Sequence, residues 1–249
     1  MKNFVVSDIH DNYDLLMDAL ARNGFDINDS SHRLIVCGDA FFSGPKPAET
    51  FVFLREMSEK GRLIFIYGNH DIDILDSLRA KNFRRAGNRT CAELIVEHLT
   101  QKTGLTDDEL VSECEKIGFI RFLAETPVWY YENEDYVFTH AFIPTENNAY
   151  RADWRNATEE EWRKASTSDA MLLSMYYGIS EPNKKIICGH FGAARCHLMK
   201  NATQEDWDNQ IYKGITISPI DGYKPFFGDT FIAIDSSVNK TGVLSCIVV

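Results

Sequence analysis

The chain has 249 residues, of which 44% are apolar and 25% are charged, a composition typical of a folded globular protein rather than a disordered or fibrous one. Its formal net charge of −11 would repel a polyanion, which argues against nucleic acid as a partner. No apolar run approaches the roughly 20 residues of a membrane helix, and the N-terminus lacks the pattern of a signal peptide. These features predict a cytoplasmic protein with no membrane partner.

The first half of the chain alternates short apolar runs with helical patterns. The runs Phe4–Ser7, Leu34–Cys37 and Leu63–Tyr67 predict strands, and each is followed by a turn-rich loop and a helix. This alternation predicts an α/β fold with a parallel sheet. Residues 90–123 are helical in pattern throughout and predict a helical cap insertion within a single domain that spans 1–249.

The second half is richer in predicted strands. An acidic turn between two apolar runs, 128–131 and 136–139, predicts a hairpin, and a helical stretch follows from Thr158 to Gly178. The polar segment 191–229 predicts a long surface loop near the functional site. Three further strands are predicted at Lys185–Cys188, Thr230–Ile234 and Val243–Val248.

Histidines or carboxylates follow the ends of five predicted strands. The loops read SDIHD, CGDAFFSG, YGNHD, FTHAF and CGHFG in chain order. Each motif alone is common by chance, but their order, and their shared position after apolar runs, makes coincidence implausible. Because ligands bind beyond the carboxyl ends of strands in open α/β sheets, we expect these loops to converge on one crevice.

A mixed set of carboxylate, amide and imidazole ligands suits manganese, iron, zinc or nickel. We expect Asp8 and His10 to share one ion, since residues i and i+2 of an extended segment point the same way. Asp39 would bridge two ions through its two oxygen atoms, and the second ion would be completed by Asn69, His140 and His190.

Two such ions, with manganese as the first choice, would activate a bridging water as hydroxide and neutralise phosphoryl oxygens for in-line attack. This predicts a metal-dependent phosphoric ester hydrolase that needs no organic cofactor. His70, which is adjacent to Asn69, is the candidate catalytic residue that protonates the leaving group.

These elements resemble the calcineurin-like metallophosphoesterase superfamily, which shows DxH, GDxxxxG, GNHD/E, an isolated His and GH in this order. Within it the chain is most similar to bacterial and phage serine/threonine protein phosphatases. The resemblance implies a four-layer α/β/β/α sandwich, and it implies the same distribution of ligands over the two ions. It also implies that the substrate contacts Asn69 and Arg155, the latter within ADWRNATEEEW; an arginine paired with acidic neighbours is the alternative.

The chain departs from the phosphatase pattern at the second motif. Where those enzymes carry GDxxDRG, this chain has Phe42 in place of the Asp that orients the catalytic His, and Ser43 in place of the Arg that holds phosphate. Gly192 likewise stands where many members of the superfamily carry a second His. The departures put substrate binding and the orientation of His70 in doubt, and leave the metal ligands intact.

Three functions therefore stay open. The first is a phosphomonoesterase of the serine/threonine protein phosphatase type, acting on a phosphorylated protein or a small phosphoester. The second is a nucleotide or dinucleoside polyphosphate hydrolase, which would be favoured if aromatic residues line the crevice. The third is a metal-binding, weakly active or inactive relative that acts through a binding partner. The candidate aromatic residues are Phe41, Phe42, Trp154, Tyr223 and Phe226.

Overall fold

A computed structural model describes residues 1–214 and 224–249 of the chain. Its strands, in chain order, are β1 (Lys2–Val6), β2 (His32–Cys37), β3 (Leu63–Ile66), β4 (Tyr131–Glu132), β5 (Tyr136–Phe138), β6 (Lys185–Cys188), β7 (Phe226–Phe227), β8 (Phe231–Ala233) and β9 (Ile247–Val248). Its α-helices are α1 (Tyr13–Arg22), α2 (Pro47–Glu59), α3 (Asn69–Ala80), α4 (Ala86–Thr100), α5 (Asp107–Lys116), α6 (Phe119–Glu125), α7 (Glu159–Ala165), α8 (Ala170–Tyr177), α9 (Ala193–Met199), α10 (Gln204–Asp208) and α11 (Val238–Thr241). Short 3₁₀ helices lie at Trp154–Asn156 and Ile211–Gly214.

The strands form two sheets. The first has the order β3-β2-β1-β9, in which β1, β2 and β3 are parallel and β9 runs antiparallel to β1. The second has the order β4-β5-β6-β8-β7, with a parallel centre of β5, β6 and β8 and an antiparallel strand at each edge. The carboxyl ends of the parallel strands in each sheet therefore lie at one edge.

Three apolar cores separate four layers. The first core packs one face of the first sheet against helices, and Val36 of β2, Phe51 of α2 and Ile95 of α4 all belong to it. The second core lies between the two sheets, and the third packs the far face of the second sheet against its own helices. Helices, sheet, sheet and helices thus follow one another, which confirms the predicted α/β/β/α sandwich.

The predicted insertion is helical, as expected, but it begins at Ala86 and is not a separate lobe. Helices α4, α5 and α6 bury Ile95, Leu110 and Phe119 in the first core, beside α2. A capping box starts α5: the Glu109 amide donates to Thr106 Oγ1 at 3.3 Å, and the Thr106 amide donates to the Glu109 carboxylate at 2.9 Å. These helices extend the outer layer of the sandwich.

Two predictions for the second half need correction. The described part of segment 191–229 is not one long loop, since it contains α9, α10, a 3₁₀ helix and β7, while residues 215–223 lie outside the described residues. The helical stretch after Thr158 is interrupted between α7 and α8, where Ser166 and Thr167 form a turn. The predicted hairpin is present as β4 and β5. Within the described residues, no helix is both long and apolar enough to cross a bilayer.

Candidate metal centre

The loops that follow the strands are joined by hydrogen bonds into one cluster. The Asp8 amide donates to the carbonyl of Gly38 at 3.0 Å, which connects the loops after β1 and β2. The amide of His190 donates to the Asp8 carboxylate at 2.9 Å, and His140 Nδ1 donates to the Cys37 carbonyl at 2.8 Å. The two sheets therefore contribute to the same crevice, as the sequence predicted.

The predicted ligand side chains converge in two groups that share one carboxylate. The ligand atoms of Asp8, His10 and Asp39 lie within 4.8 Å of one another, and those of Asp39, His140 and His190 do the same. Asn69 joins the second group, because its Oδ1 lies 3.0 Å from His140 Nε2. This geometry suits two cations that share Asp39.

The backbone reaches this arrangement differently from the predicted extended segment. Strand β1 ends at Val6, and Asp8 and His10 have left-handed backbones, with φ of 53° and 46°. Asp39 and His190 are also left-handed, with φ of 51° and 67°. Asp8 and His10 do lie together, but a tight turn, rather than the alternation of a strand, aims their side chains. Such clustered left-handed residues are typical of strained functional loops.

Hydrogen bonding fixes the tautomer of one candidate ligand. Because His140 Nδ1 donates to the Cys37 carbonyl, its Nε2 is directed at Asp39 Oδ2, 3.5 Å away, and in the neutral imidazole this nitrogen would carry the lone pair that binds a metal. A backbone carbonyl that orients a ligating imidazole in this way is a common feature of metal sites. The Nδ1 atom of His10 is buried and has no hydrogen-bond partner within the described chain.

The electrostatics of the cluster fit a cation. Burial, together with the nearby charges of Asp235 and Asp39, raises the pKa of Asp8 well above its usual value. Burial also tends to raise the pKa of Asp39, but His140, His10 and His70 outweigh it and lower that pKa. Clustered buried carboxylates repel one another, so a divalent cation between them would relieve both repulsion and desolvation.

The two histidines of the second group have opposite pKa shifts. Burial and the charge of His140 lower the pKa of His190 to about 3, which leaves its imidazole neutral and able to bind a metal. Burial also tends to lower the pKa of His140, but the neighbouring carboxylates of Asp39 and Asp8 raise it to about 10. Without a cation, protonated His140 therefore balances the negative charge of Asp39. A bound metal ion would balance that charge instead.

His70, the predicted catalytic residue, lies at the first turn of α3 beside the shared carboxylate. Its Nε2 is 4.0 Å from Asp39 Oδ2, and its amide donates to Asp39 Oδ1 at 2.9 Å. Asp71 accepts hydrogen bonds from the amides of Gly68 at 3.0 Å and Asp39 at 2.8 Å. Asp71 therefore caps the first turn of α3 and also holds the loop after β2 against this helix.

Arg155, predicted to bind substrate, has its side chain engaged elsewhere. Its guanidinium donates to both carboxylate oxygens of Glu132, at 3.0 and 2.8 Å, and to Glu181 at 2.8 Å. The same guanidinium lies over the ring of Trp154, 4.2 Å from its centroid. The structure thus brings Arg155 to two acidic side chains and not to the ligand cluster, which corresponds to the paired-arginine alternative.

The candidate aromatic residues differ in where they lie. Phe41, Trp154 and Phe226 are buried in the apolar cores and present no face to the crevice. Phe42 is half-buried and stacks on His70, so it is the aromatic residue of this set that borders the site. Tyr223 lies outside the described residues.

Sequence reasoning missed two polar residues that support the site. The hydroxyl of Ser7 lies within hydrogen-bonding distance of the Asp8 carboxylate and, at 2.9 Å, of the Cys37 carbonyl, so its one proton is shared between these two acceptors. The buried carboxyl of Asp11 accepts the amide of Phe42 at 2.8 Å. Both residues adjoin the DxH motif, so their position in the sequence was a usable signal, although their roles depend on contacts with the loop after β2.

Comparison with known proteins places this cluster in a family. The profile of the calcineurin-like phosphoesterases matches residues 1–217. A symmetrical bis(5'-nucleosyl)-tetraphosphatase of Vibrio vulnificus is 36% identical over 75 residues, 30% of this chain and 26% of that protein. An asymmetrical bis(5'-nucleosyl)-tetraphosphatase of Bacillus velezensis is 26% identical over 152 residues, 57% of each chain. The match thus spans little more than half of one relative and about a quarter of the other.

Solved structures share the fold at low sequence identity. A putative diadenosine tetraphosphatase superposes with a TM-score of 0.53 at 17% identity, covering 99% of this chain and 88% of that one. A cold-active protein-tyrosine phosphatase of a psychrophilic Shewanella gives a TM-score of 0.51 at 16% identity, covering 99% and 74%. Since the family profile covers most of the sequence and carries the ligand loops, the chain belongs to the calcineurin-like phosphoesterase family.

Proposed function

We propose that this phosphoester hydrolase cleaves a phosphoric anhydride bond of dinucleoside polyphosphates with the help of two divalent metal ions. The observation that carries the proposal is the pair of ligand groups that share Asp39. One ion would be held by Asp8, His10 and Asp39, and the other by Asp39, Asn69, His140 and His190. When bound, the ions would supply a hydroxide nucleophile at neutral pH and offset the charge of the phosphoryl oxygens.

The residues around the cluster would have two roles, proton transfer and orientation of a metal ligand. The backbone amide of His70 fixes the Asp39 carboxylate, while its side chain turns Nε2 toward the same group. A leaving oxygen near that nitrogen would receive its proton, which makes His70 the general acid of the proposal. Ser7 and the amide of His190 both contact one oxygen of the Asp8 carboxylate, Oδ2, so its orientation is set before any ligand binds.

The choice of dinucleoside polyphosphates over phosphoproteins rests on two arguments. The matching curated relatives named above are bis(5'-nucleosyl)-tetraphosphatases, and a solved structure with the same fold is titled a putative diadenosine tetraphosphatase. In addition, Ser43 replaces the phosphate-holding arginine of the protein phosphatases, and the guanidiniums of Arg151 and Arg155 are paired with carboxylates. Arg195 instead donates to the Phe191 and Tyr212 carbonyls.

The serine/threonine phosphatase activity predicted from the sequence stays as the second candidate, because the shared metal positions and His70 are all in place. A non-catalytic, partner-binding role is the third. Manganese as the natural metal, a cytoplasmic location and a single domain over 1–249 stay predictions.

A substrate comparison tests the proposal. The full chain, stripped with EDTA and reloaded with Mn²⁺, is assayed on diadenosine tetraphosphate, a phosphoserine peptide and p-nitrophenyl phosphate, with products separated chromatographically. We expect kcat/KM for diadenosine tetraphosphate to exceed that for the peptide by at least about 100-fold, equivalent to about 2.7 kcal/mol of transition-state binding. A preference for the peptide would favour the second candidate, and no metal-dependent turnover on any substrate would leave only the third.

Metal stoichiometry provides a readout that does not depend on activity. Two Mn²⁺ ions per chain are expected by elemental analysis after gel filtration. Asp39→Asn should lose at least one of them, because the amide nitrogen cannot bridge two cations. The matched control is Asp29→Asn, which makes the same change at an exposed carboxylate that contacts Ser31 and His32. Equal metal content in the two variants would contradict the assigned bridge.

A further inference from the structure

We infer that Phe42 is the positioning residue for His70, and that its aromatic ring replaces the missing carboxylate orienter. The inference rests on the proposed function only in that it takes His70 to protonate the leaving group. Its structural basis is the contact between two rings next to the shared carboxylate Asp39. The Phe42 and His70 rings lie parallel, with centroids 4.1 Å apart and an angle of 14° between their planes.

Stacking replaces hydrogen bonding in this part of the site. The Nδ1 atom of His70 is buried and makes no hydrogen bond to the described residues, so no carboxylate or carbonyl among them orients the imidazole. Its Nε2 faces the ligand cluster, 4.0 Å from Asp39 Oδ2. A parallel ring at van der Waals distance restricts rotation of the imidazole out of its plane, and it does so without adding charge. The stack therefore restrains the imidazole in the plane in which Nε2 faces Asp39.

Phe42 is held in place by its own backbone. Its φ is 117° and that of Ser43 is 65°, and both values are unusual for residues other than glycine. The amide of Phe42 donates to the fully buried carboxyl of Asp11 at 2.8 Å, and the amide of Gly44 donates to the same group at 3.4 Å. A bulky residue persists in such a conformation only where its surroundings impose it, which is typical of functional loops.

The first turn of α4 packs against the ring of Phe42. A Cβ atom added at Gly87 would lie 2.5 Å from Cε2 of Phe42, so the helix backbone packs directly on the ring edge. Phe42 is thus confined by Gly87, by its amide bond to Asp11 and by His70 itself. Helix α4, which the sequence predicted only as part of an insertion, reaches the site through this contact.

The experiment compares substrates whose leaving groups differ in their need for a proton. Phenyl phosphate has a poor leaving group and p-nitrophenyl phosphate a good one, so a misplaced general acid slows the first more than the second. For Phe42→Leu we expect kcat/KM for phenyl phosphate to fall about 10-fold further than that for p-nitrophenyl phosphate, since positioned proton transfer contributes about 10² to 10⁴-fold. Phe42→Tyr, which retains the aromatic plane, should restore the wild-type ratio.

Two controls separate this inference from the proposed function. His70→Ala should slow phenyl phosphate more than p-nitrophenyl phosphate, by at least as large a factor as Phe42→Leu does, and adding Phe42→Leu to it should have no further effect on the ratio of the two substrates. If His70→Ala leaves the ratio unchanged, the role of His70 in the proposed function is wrong. If His70→Ala changes the ratio and Phe42→Leu does not, the inference about Phe42 is wrong. Phe227→Leu, at a phenylalanine that is 66% exposed, is the matched control.

A spectroscopic measurement tests the stack without catalysis. In the Zn²⁺-loaded protein, the carbon-bound ring protons of His70, assigned by comparison with His70→Ala, should be shifted upfield by the ring current of Phe42. Phe42→Leu should return them toward the values of an unstacked imidazole, and Phe42→Tyr should keep them shifted. Ring protons at unstacked positions in the wild type would overturn the inference even if Phe42→Leu fails to fold.

Discussion

Gly38→Ala provides a direct test of how closely the site is packed. The glycine immediately precedes Asp39 and has a φ of 77°. A Cβ atom there would lie 2.5 Å from His140 Nδ1 and 2.7 Å from the Cα atom of Gly68, distances that real Cβ atoms do not adopt. The substitution would therefore displace His140 or the loop after β3, and both carry candidate metal ligands.

The magnitude follows from two contributions. A left-handed alanine costs about 1 to 2 kcal/mol by itself. Displacing His140 would also break its 2.8 Å hydrogen bond to the Cys37 carbonyl, and the overpacking and the loss of this bond by the buried imidazole together add about 2 to 4 kcal/mol. The chain offers a control in Gly24, whose φ is 76° and whose added Cβ atom would meet nothing within 4 Å. Gly24→Ala carries the backbone strain alone.

Urea denaturation of the metal-free proteins, followed by circular dichroism, measures the difference between the two variants. We expect Gly38→Ala to be less stable than Gly24→Ala by about 2 to 4 kcal/mol at unchanged m-value. Calorimetric titration with Mn²⁺ should show weakened binding for Gly38→Ala only. Equal stabilities, within about 0.5 kcal/mol, together with equal Mn²⁺ affinity, would refute the packing described around Gly38.

Three further predictions concern the metal, pH and the thiols. Mn²⁺ at about 100 times its dissociation constant should stabilise the wild type by about 2.7 kcal/mol in urea denaturation, and Asp39→Asn should lose most of that gain. The hydrogen bond from Arg155 is the main reason that the pKa of Glu132 falls to about 2. The ionised Glu132 therefore stabilises the folded protein fully above its ordinary pKa of 4.5, and this contribution is lost as pH falls toward 2. Between pH 5 and 2.5 the free energy of unfolding of the wild type should therefore fall by about 1 to 2 kcal/mol more than that of Glu132→Gln, a figure reduced to allow for solvent screening. Parallel profiles of unfolding free energy against pH for the two proteins would contradict this. Burial raises the pKa of Cys114, Cys196 and Cys246 to about 12, and of the six thiols only Cys246 is not buried, so at most one should react rapidly with Ellman's reagent before denaturation.

The sequence was sufficient to predict the strands that carry the candidate ligands and the convergence of those side chains. The runs before Asp8, Asp39 and Asn69 are apolar and bounded by turn residues, so their identity as buried parallel strands could be predicted locally. The order of the motifs along the chain then predicted the fold and the family. These are features for which local pattern and tertiary structure agree.

The sequence prediction failed where short helices follow polar residues. Helix α10 begins after Thr203, whose amide donates to the Asp206 carboxylate at 2.8 Å, while its Oγ1 accepts the Asp206 amide at 3.3 Å. The Thr-x-x-Asp spacing was a readable start signal, but five helical residues show too little periodicity to be recognised without it. The partners of Arg155 could not be predicted either, since Glu132 and Glu181 are 23 and 26 residues away in sequence.

The geometry of the ligand loops was beyond prediction for a further reason. Beyond the end of β1 the backbone turns left-handed, yet it still donates to the neighbouring loop, from the Asp8 amide to Gly38 and from the His10 amide to Asp39, each at 3.0 Å. These bonds offset strain of roughly 1 to 3 kcal/mol per residue, and they form only when β1 and β2 are already paired. A local reading of Asp-x-His therefore predicts an extended segment, because the interaction that favours the turn comes from a strand about 30 residues away. The same dependence means that the sheet sets the positions of the ligands before any metal ion binds.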